Sequence, residues 1–377
     1  MTASLVASDS RPQPLSLPAL VDALSLRDLT DPAQGQHALQ LLVTSAASAL
    51  GERWDADVRL LRSRPVVAVE DNYDRLGYQP GAVSRDVRYT RYVSDTTMLR
   101  SHTSAGVPPE LRALAADPPS RDVLLVLPGI CHRRDSIDRL HTGSPHQLDL
   151  WLLRRGGRRL DHDDLHLLVT TLVDALLPGT HWRWTATSHP YTTGGREVEA
   201  IHDGHPVEIA ECGLAAPEVL TAAGLSPSSW SGLALGMGLD RALMLRKGIP
   251  DIRLLRSADP RVAEQLRDLT PYHSVSDLPP ARRDISAAVA AGSDGELLGD
   301  RVREALGPDA DLVEEVAVLS TTPYADLPAA ARERLAIRPG QENVLLRLVL
   351  RPVDRTLNSE EVNALRDRVA AALATPE

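Results

Sequence analysis

The chain has 377 residues, 43% of them hydrophobic, and a formal net charge of −10 at pH 7. This length allows two or three compact domains with a sizeable core, and the acidic balance argues against a general nucleic-acid coat, although not against local RNA binding. No apolar run approaches the eighteen residues that would indicate a membrane-spanning helix, and the N-terminal segment resembles neither a secretion signal nor a transit peptide. A cytoplasmic protein with no membrane partner is therefore predicted.

Composition adds three further observations. Cys131 and Cys212 are too few for a disulfide framework and lack the paired spacing of a zinc site, so both are predicted to be reduced and buried. Phenylalanine is absent, and Lys247 is the only lysine. A genome rich in G and C accounts for much of both oddities. The absence of phenylalanine also suits a protein that must be made while phenylalanine is scarce or mischarged.

The elements predicted up to about residue 273 are mostly strands. Residues 34–53 have a helical pattern, "RDVLLVLPGI" and "HQLDLWLLRR" read as buried strands, and the helical spacing of residues 162–177 stops at a Pro-Gly pair. "REVEAIHDGHPVEIAECG" predicts a hairpin that turns at Asp203-Gly204. Strands with few intervening helices favour an antiparallel sheet over a doubly wound one.

The pattern changes after about residue 274. A strand, a helix, two strands and a final helix follow one another, an order that matches a small ferredoxin-like split βαβ unit. Asn358 and Glu361 have the spacing of a capping box at the start of the last helix. The predicted fold class is α+β, with an N-terminal extension over 1–40, a large antiparallel-sheet domain over 41–273 and a ferredoxin-like domain over 274–377.

Five sequence blocks resemble a known family. Residues 96–105, 131–150, 211–224, 230–262 and 278–289 occur in the order found in the catalytic chain of phenylalanyl-tRNA synthetases. The resemblance covers roughly residues 70–377 and is strongest to the single-chain organellar type, which ends in an anticodon-binding ferredoxin-like domain. It implies a class II synthetase catalytic domain over 41–273 and an anticodon-binding-like domain over 274–377.

Activating a carboxylate with ATP requires cations at the phosphates, because negative charge builds up as pyrophosphate leaves. The resemblance implies an ATP site made of Arg133, Asp135, His141, Gly236, Gly238 and Arg241. Arg133 resembles the arginine at the α-phosphate, and Arg241 the arginine at the adenine end and the γ-phosphate. The two glycines let the backbone approach the nucleotide. Surface ion pairs for the arginines and a structural role for His141 are the alternatives.

Candidate ligands for magnesium and for the amino acid follow from the same resemblance. Glu208 is the expected magnesium ligand, with ATP oxygens holding most of the ion; a solvated strand-face carboxylate is the alternative. Ser104, Gln147 and Asp149 correspond to positions that cradle the ammonium group of the substrate; a capping or turn role is the alternative for Ser104. Asp149 replaces a residue that is often glutamate in the family, which shortens its reach by one methylene.

The sequence departs from the family where the substrate side chain binds. His189 and Tyr191, in "HPYT", replace the two phenylalanines of an F-P-F-T segment, whereas the small Ala234 is kept. Pro145 takes the place of a ring that would stack on adenine, and Glu211 replaces a glycine. Since polar groups in a pocket reject substrates that leave them unpaired, the hypothesis is an enzyme that accepts phenylalanine or a polar or ring-substituted relative.

The leading hypothesis is an aminoacyl-tRNA ligase that uses ATP and Mg²⁺ and takes an amino acid and a tRNA as substrates. Two alternatives remain: an amino-acid-activating paralogue with a non-tRNA acceptor, and a catalytically silent RNA-binding or regulatory protein. From residue 275 onward there are twelve arginines, no lysine and eighteen acidic residues, which is an awkward composition for binding an anticodon stem. The dimerisation motif of class II enzymes is faint around Pro65, so either a monomer or a homodimer is expected.

Overall fold

The computed structural model describes residues 14–82, 85, 90–275, 278–352 and 355–374. The chain forms two compact units: residues 1–133 with 146–242 make up the first, and residues 134–145 with 243–377 the second. The predicted division into three segments at residues 40 and 273 stays a prediction.

Strands and helices are interspersed in the described part of the chain, and several strands follow one another without an intervening helix. The strands are β1 Asp57–Leu60, β2 Val66–Ala68, β3 Thr97–Leu99, β4 Val123–Ile130, β5 His146–Arg155, β6 Trp182–Ala186, β7 Thr192–His202, β8 His205–Ala215, β9 Trp230–Gly238, β10 Ala281–Ala290, β11 Val313–Pro323 and β12 Gln341–Leu350. The helices are α1 Leu17–Ser25, α2 Ala38–Trp54, α3 Val69–Asn72, α4 Val107–Ala116, α5 His162–Leu176, α6 Pro217–Ala222, α7 Leu239–Lys247, α8 Pro260–Gln265, α9 Gly295–Leu306, α10 Ala329–Leu335 and α11 Ser359–Ala374.

The first unit is built on a seven-stranded sheet with the order β1-β4-β5-β9-β8-β7-β6. Every neighbouring pair is antiparallel except β1 and β4, which run parallel. The α+β class and the large antiparallel sheet are therefore confirmed. The parallel edge strand was not predicted.

Central strands of this sheet are covered on both faces, which explains their continuous apolar sequences. All eight residues of β4 are buried. Alternate side chains such as Val123, Leu125 and Trp151 join a core with Leu111 of α4 and Val219 of α6. Helices α2 and α5 pack against each other and contact β4 and β8 respectively. The predicted helices and buried strands of this region are confirmed.

The hairpin between β7 and β8 turns where the sequence predicts it. Asp203 and Gly204 have φ angles of 50° and 79°, the left-handed pair that a two-residue turn between antiparallel strands requires. At the start of α5, the Asp161 carboxylate accepts hydrogen bonds from the backbone of Asp163 and Asp164. This cap satisfies amide groups that the first helical turn leaves without partners.

The second unit contains a three-stranded antiparallel sheet with the order β10-β12-β11. Its core is formed by side chains of the sheet together with α9 and α11, for example Leu346, Val302 and Val369. Asn358 and Glu361 form the predicted capping box, with two hydrogen bonds of 2.9 Å. Helix α10, between β11 and β12, was not predicted. The ferredoxin-like assignment of residues 274–377 stays a prediction.

The unusual residues noted in the composition lie inside the fold. Cys131 and Cys212 are free and buried, as predicted. Lys247 is 2% exposed, and its ammonium group donates hydrogen bonds to the backbone carbonyls of Asp268, at 2.9 Å, and Thr270. The only lysine of the chain therefore fastens the end of α7 to a segment that follows α8.

Candidate active site

One edge of the large sheet collects the arginines expected to bind ATP. Ile130, the last residue of β4, pairs with His146 at the start of β5, and Gln147 pairs with Gly238 at the end of β9. Strands β4 and β9 therefore end at the same edge, on either side of β5. Since neighbouring strands lie about 4.8 Å apart, the two strand ends are about 10 Å apart. Arg133 and Arg241 each follow their strand by three residues.

The glycines of β9 keep space open on one face of the sheet. Gly236 pairs with Asp149 on one side and with Glu211 on the other. A Cβ atom at Gly236 would lie 3.8 Å from both Asp149 Oδ2 and Tyr191 Oη, and one at Gly238 would meet nothing within 4 Å. These glycines are not required for close packing of the strand, and they form an open floor between flanking side chains.

Asp149 is a buried carboxylate that forms no direct ion pair among the described residues, although the charge of His189 acts on it. It is 2% exposed, Thr103 Oγ1 donates a 2.7 Å hydrogen bond to Oδ2, and Oδ1 accepts none. Burial raises the pKa of Asp149, although hydrogen bonding by Ser104 and Thr103 opposes the rise. A cation placed at Oδ1 would offset the unfavourable free energy of burying the ionised carboxylate.

The other two residues expected to hold the ammonium group lie beside Asp149. Gln147 is on the same face of β5, two residues away, and its Oε1 accepts a hydrogen bond from the backbone amide of Thr103 at 3.4 Å. Ser104 is 2% exposed and acts on the pKa of Asp149. The structure brings Ser104, Gln147 and Asp149 together.

Aromatic rings lie next to this cluster. The Tyr78 ring stacks on His102 with a centroid separation of 5.6 Å, and Tyr191 lies 6.4 Å from Tyr78 and 6.0 Å from Trp151. Burial, with help from the charge of Arg133, lowers the pKa of His102 to about 3, so this ring is neutral. Burial raises the pKa of Tyr78, and the positive charge of Arg133 partly opposes this rise.

His189 and Glu211 form an ion pair between His189 Nε2 and a Glu211 carboxylate oxygen. Burial lowers the pKa of His189, but the hydrogen bond and charge of Glu211 outweigh this effect, so that the net shift is upward. The His189 ring lies 5.3 Å from Tyr191, and its Nδ1 is buried without a partner in the described part of the chain. Ala234, fully buried, pairs with Trp151 in the floor.

Arg241 and Glu208 contact each other. The Arg241 guanidinium donates a 2.7 Å hydrogen bond to the backbone carbonyl of Glu208 and lies 3.6 Å from its exposed carboxylate. Burial and the charges of nearby carboxylates, Glu208 first among them, raise the pKa of Glu197. No group of three or more potential ligands able to hold a metal ion occurs among the described residues. A magnesium ion here would need ligands from elsewhere.

Asp135 and His141 belong to the second unit. Asp135 Oδ1 accepts a 2.9 Å hydrogen bond from the Ser136 amide, and its backbone carbonyl accepts one from Arg303. The His141 ring is paired with Asp138 at 2.7 Å. These contacts agree with structural roles, and a phosphate-binding role stays a prediction for both residues.

A buried histidine–aspartate pair supports the start of α7. His146 Nε2 accepts a 3.1 Å hydrogen bond from the backbone amide of Leu29, so the proton is on Nδ1, which donates to Asp240 Oδ1 at 2.8 Å. Asp240 Oδ2 accepts a second bond, at 2.6 Å, from the His146 amide. Asp240 directly precedes Arg241. The pair therefore fixes the backbone that carries this arginine.

Comparison with known proteins identifies the family of the chain. The family "tRNA synthetases class II core domain (F)" matches residues 55–266, more than half of the chain. The chain belongs to this family. This synthetase is 33% identical over 266 residues to the phenylalanine–tRNA ligase alpha subunit of Prochlorococcus marinus strain MIT 9313, covering 68% of the chain and 75% of that subunit. The resemblance inferred from the sequence blocks is confirmed.

Two further relatives extend the comparison. The corresponding subunit of Prochlorococcus marinus strain NATL2A is 33% identical to this synthetase over 52% of the chain and 56% of the subunit, so the chain spans little more than half of that relative. A probable mitochondrial phenylalanine–tRNA ligase of Drosophila melanogaster is 27% identical over 82% of the chain and 75% of that protein. No helix in the described ranges is long and apolar enough to cross a bilayer.

Several residues of the site were not among the predicted ones. Tyr78, His102 and Thr103 lie beside residues of the candidate site, and Glu211 was noted only as a departure from the family. His102 and Thr103 stand next to Ser104 in the sequence, and this proximity was an available signal. Tyr78 lies outside the matching blocks, so the sequence offered no comparable signal for it.

Proposed function

We propose that this synthetase activates an aromatic amino acid with ATP as the aminoacyl adenylate and transfers it to the 3′ end of a tRNA. The observation that carries the proposal is the Asp149 carboxylate, which is buried beside the open glycine floor and has one oxygen without a partner in the described structure. The ammonium group of an amino acid supplies the missing cation. Ser104 and Gln147 complete the cradle.

The chemistry requires no nucleophilic side chain, because the substrates supply both nucleophiles. In the first step a carboxylate oxygen of the amino acid attacks the α-phosphorus of ATP, and the bond to pyrophosphate breaks. In the second step a terminal ribose hydroxyl of the tRNA attacks the activated carbonyl, loses its proton and displaces AMP. Arg133 is assigned to the α-phosphate and Arg241 to the γ-phosphate, where each guanidinium offsets developing charge.

Gly236 and Gly238 complete the proposed nucleotide site, since space without side chains lets a phosphate lie close to the backbone. Mg²⁺ would neutralise pyrophosphate charge, with ATP oxygens as its main ligands and Glu208 as the protein ligand. The exposed Glu208 carboxylate fits this limited role.

The amino acid is phenylalanine or a polar or ring-substituted relative. Ala234 in the floor and the rings of Tyr191 and Tyr78 support an aromatic side chain. His189 adds a polar group to the same pocket. A cytoplasmic location and a monomeric or homodimeric state remain part of the proposal.

A non-tRNA acceptor is the second candidate, and the charges of the second unit favour it. Arg347 pairs with Asp284 at 2.8 Å and Arg351 with Glu314 at 2.7 Å, so the charges of these two arginines are neutralised within the unit. Phosphate contacts depend on basic side chains that are available to the nucleic acid. The relatives named as tRNA ligases support tRNA as the leading acceptor.

ATP–pyrophosphate exchange followed by charging of total tRNA tests both steps. Arg133→Ala and Arg241→Ala are each expected to lower exchange at least about 100-fold, because each removes a charge that stabilises the transition state. Arg183→Ala, an exposed arginine of β6 paired with Glu199, is the matched control. Exchange without charging would favour the non-tRNA acceptor, and unaltered exchange in both variants would contradict the proposed site.

A further inference from the structure

The proposed pocket contains a second carboxylate opposite Asp149. Asp149 and Glu211 pair with Gly236 from the two neighbouring strands, so both lie on the same face of the sheet with the glycine between them. Two carboxylates on either side of an open floor are more than one ammonium group requires. The proposed function uses Asp149 and leaves Glu211 without a role.

The pairing of Glu211 with His189 leaves hydrogen-bonding capacity unused on both partners. His189 Nε2 meets one carboxylate oxygen, and no hydrogen bond to the other oxygen is formed by the residues that the structure describes. His189 Nδ1 is likewise buried without a partner there. The Glu211 side chain is 29% exposed, so water satisfies its second oxygen until a ligand excludes that water.

Flat rings adjoin this polar pair. Tyr191 lies 5.3 Å from His189 and 6.0 Å from Trp151, and Tyr78 lies 6.4 Å from Tyr191. Ring pairs at such distances gain stabilisation beyond the burial of their area. The surroundings therefore suit a planar aromatic ring whose edge meets a carboxylate oxygen able to accept a hydrogen bond.

We propose that Glu211, held by His189, selects an aromatic amino acid whose ring carries a hydrogen-bond donor, such as a phenolic hydroxyl. This inference rests on the proposed function for the anchoring of the ammonium group at Asp149. A plain benzyl side chain would expel water from Glu211 and leave its oxygen unpaired, whereas a hydroxyl replaces the lost hydrogen bond. Sites built in this way discriminate by factors of up to about 10⁴ to 10⁵.

The test compares L-phenylalanine with its 3-hydroxy and 4-hydroxy derivatives and with the matching methoxy compounds. ATP–pyrophosphate exchange measures activation, and isothermal titration calorimetry without ATP measures binding. The better hydroxylated amino acid is expected to exceed phenylalanine at least about 100-fold in kcat/KM, and the methoxy compounds, which lack the donor, are not expected to share this gain.

Variants locate the preference at the pair. Glu211→Ala is expected to reduce the ratio of hydroxylated to plain substrate at least about tenfold, and Glu211→Gln, which keeps an acceptor oxygen, to retain part of it. Glu218→Ala on α6, an exposed glutamate, is the control that leaves the ratio unchanged. Circular dichroism checks that each variant is folded.

The outcomes separate the inference from the proposed function. Equal or better use of phenylalanine by the unaltered enzyme overturns the inference and leaves the proposed function standing. Preference for the methoxy compounds also overturns it, because the donor is then not what is recognised. Calorimetric preference for a hydroxylated ring without any exchange supports the inference and defeats the proposed activity. Neither binding nor exchange with any compound overturns both.

Discussion

Two buried carboxylates, one in each unit, have opposite surroundings. Asp149 in the first unit accepts a hydrogen bond from the hydroxyl of Thr103 and forms no direct ion pair in the described residues, although the charge of His189 acts on it. Glu314 in the second unit is 6% exposed and lies 3.1 Å from Arg139 and 2.7 Å from Arg351. Burying a charge without a counter-ion is unfavourable. The fold places guanidinium groups beside Glu314 and none within ion-pair distance of Asp149 in the described residues, which is the arrangement expected if a ligand brings the charge to Asp149.

Replacing Asp149 gives the sharpest test of this contrast. Asp149→Asn is expected to lower kcat/KM for amino-acid activation at least about 1000-fold, because the ammonium group loses its counter-ion. The free energy of unfolding at pH 8 should not fall. The pKa of Asp149 is raised by burial, so its ionised form opposes folding at that pH, and a neutral amide removes this opposition. Exchange assays and urea denaturation measure the two effects.

A loss of stability comparable to the loss of activity would contradict the assignment of Asp149 as a ligand-binding acid. The uncharged side chain keeps nearly the same shape, so packing alone does not explain a large activity change. Thr103→Val provides a matched control, since it removes the hydroxyl that bonds Asp149 and retains the carboxylate.

Asp240 represents the structural kind of acid within the first unit. Asp240→Asn is expected to destabilise the fold by about 2 kcal/mol, because His146 loses a charged acceptor for two buried hydrogen bonds. KM for ATP should rise about tenfold through Arg241, the next residue, with kcat for activation changed less. Asp203→Asn at the exposed hairpin tip is the control. An unchanged KM would show that the pair does not position Arg241.

Glu314 offers the corresponding test in the second unit. Glu314→Gln is expected to lower the free energy of unfolding by about 1 to 2 kcal/mol, since buried ion pairs are costly to break, although the half-exposed Arg139 moderates the effect. KM for the amino acid should not change. Differential scanning calorimetry with Glu315→Gln as control measures the loss. An unchanged melting transition would remove the distinction between the two carboxylates.

The smallest expected effect is a dependence of stability on pH that arises from the His189–Glu211 pair. The pKa of His189 is higher in the folded chain than in the unfolded chain. The stabilisation by the pair is therefore fully present below the unfolded pKa of His189 and is lost as pH rises through its folded pKa. The difference in unfolding free energy between the natural chain and Glu211→Ala should therefore shrink from pH 6 to pH 9. Partial exposure limits it to about 1 kcal/mol. A difference that grows with pH would contradict the upward shift.

The sequence predicts those parts of the fold whose signals are local. The apolar run of β4, the Asp203-Gly204 turn and the Asn358–Glu361 cap each depend on neighbouring residues, and all three are confirmed. Strand β1 has only four residues, with no clear alternation, and its parallel partner β4 begins 66 positions after it. Nothing near β1 in the sequence identifies that partner.

Site residues were predictable when a family block contained them and unpredictable when they depended on register. Whether Glu211 lies on the same face of the sheet as Asp149 follows from its pairing with Gly236 and from irregular register between β7 and β8. A shift of one residue would turn its side chain to the other face. The bond from Leu29 to His146 joins residues 117 positions apart and has no local signature.

The buried Lys247 has a practical consequence for chemical probing. With its ammonium group enclosed by backbone carbonyls, the folded chain presents no lysine side chain to acylating reagents or amine-directed cross-linkers. Acylation of residue 247 then requires local opening around the end of α7. The rate of this acylation, followed by peptide mass spectrometry, therefore reports the rate of that local opening without any engineered label.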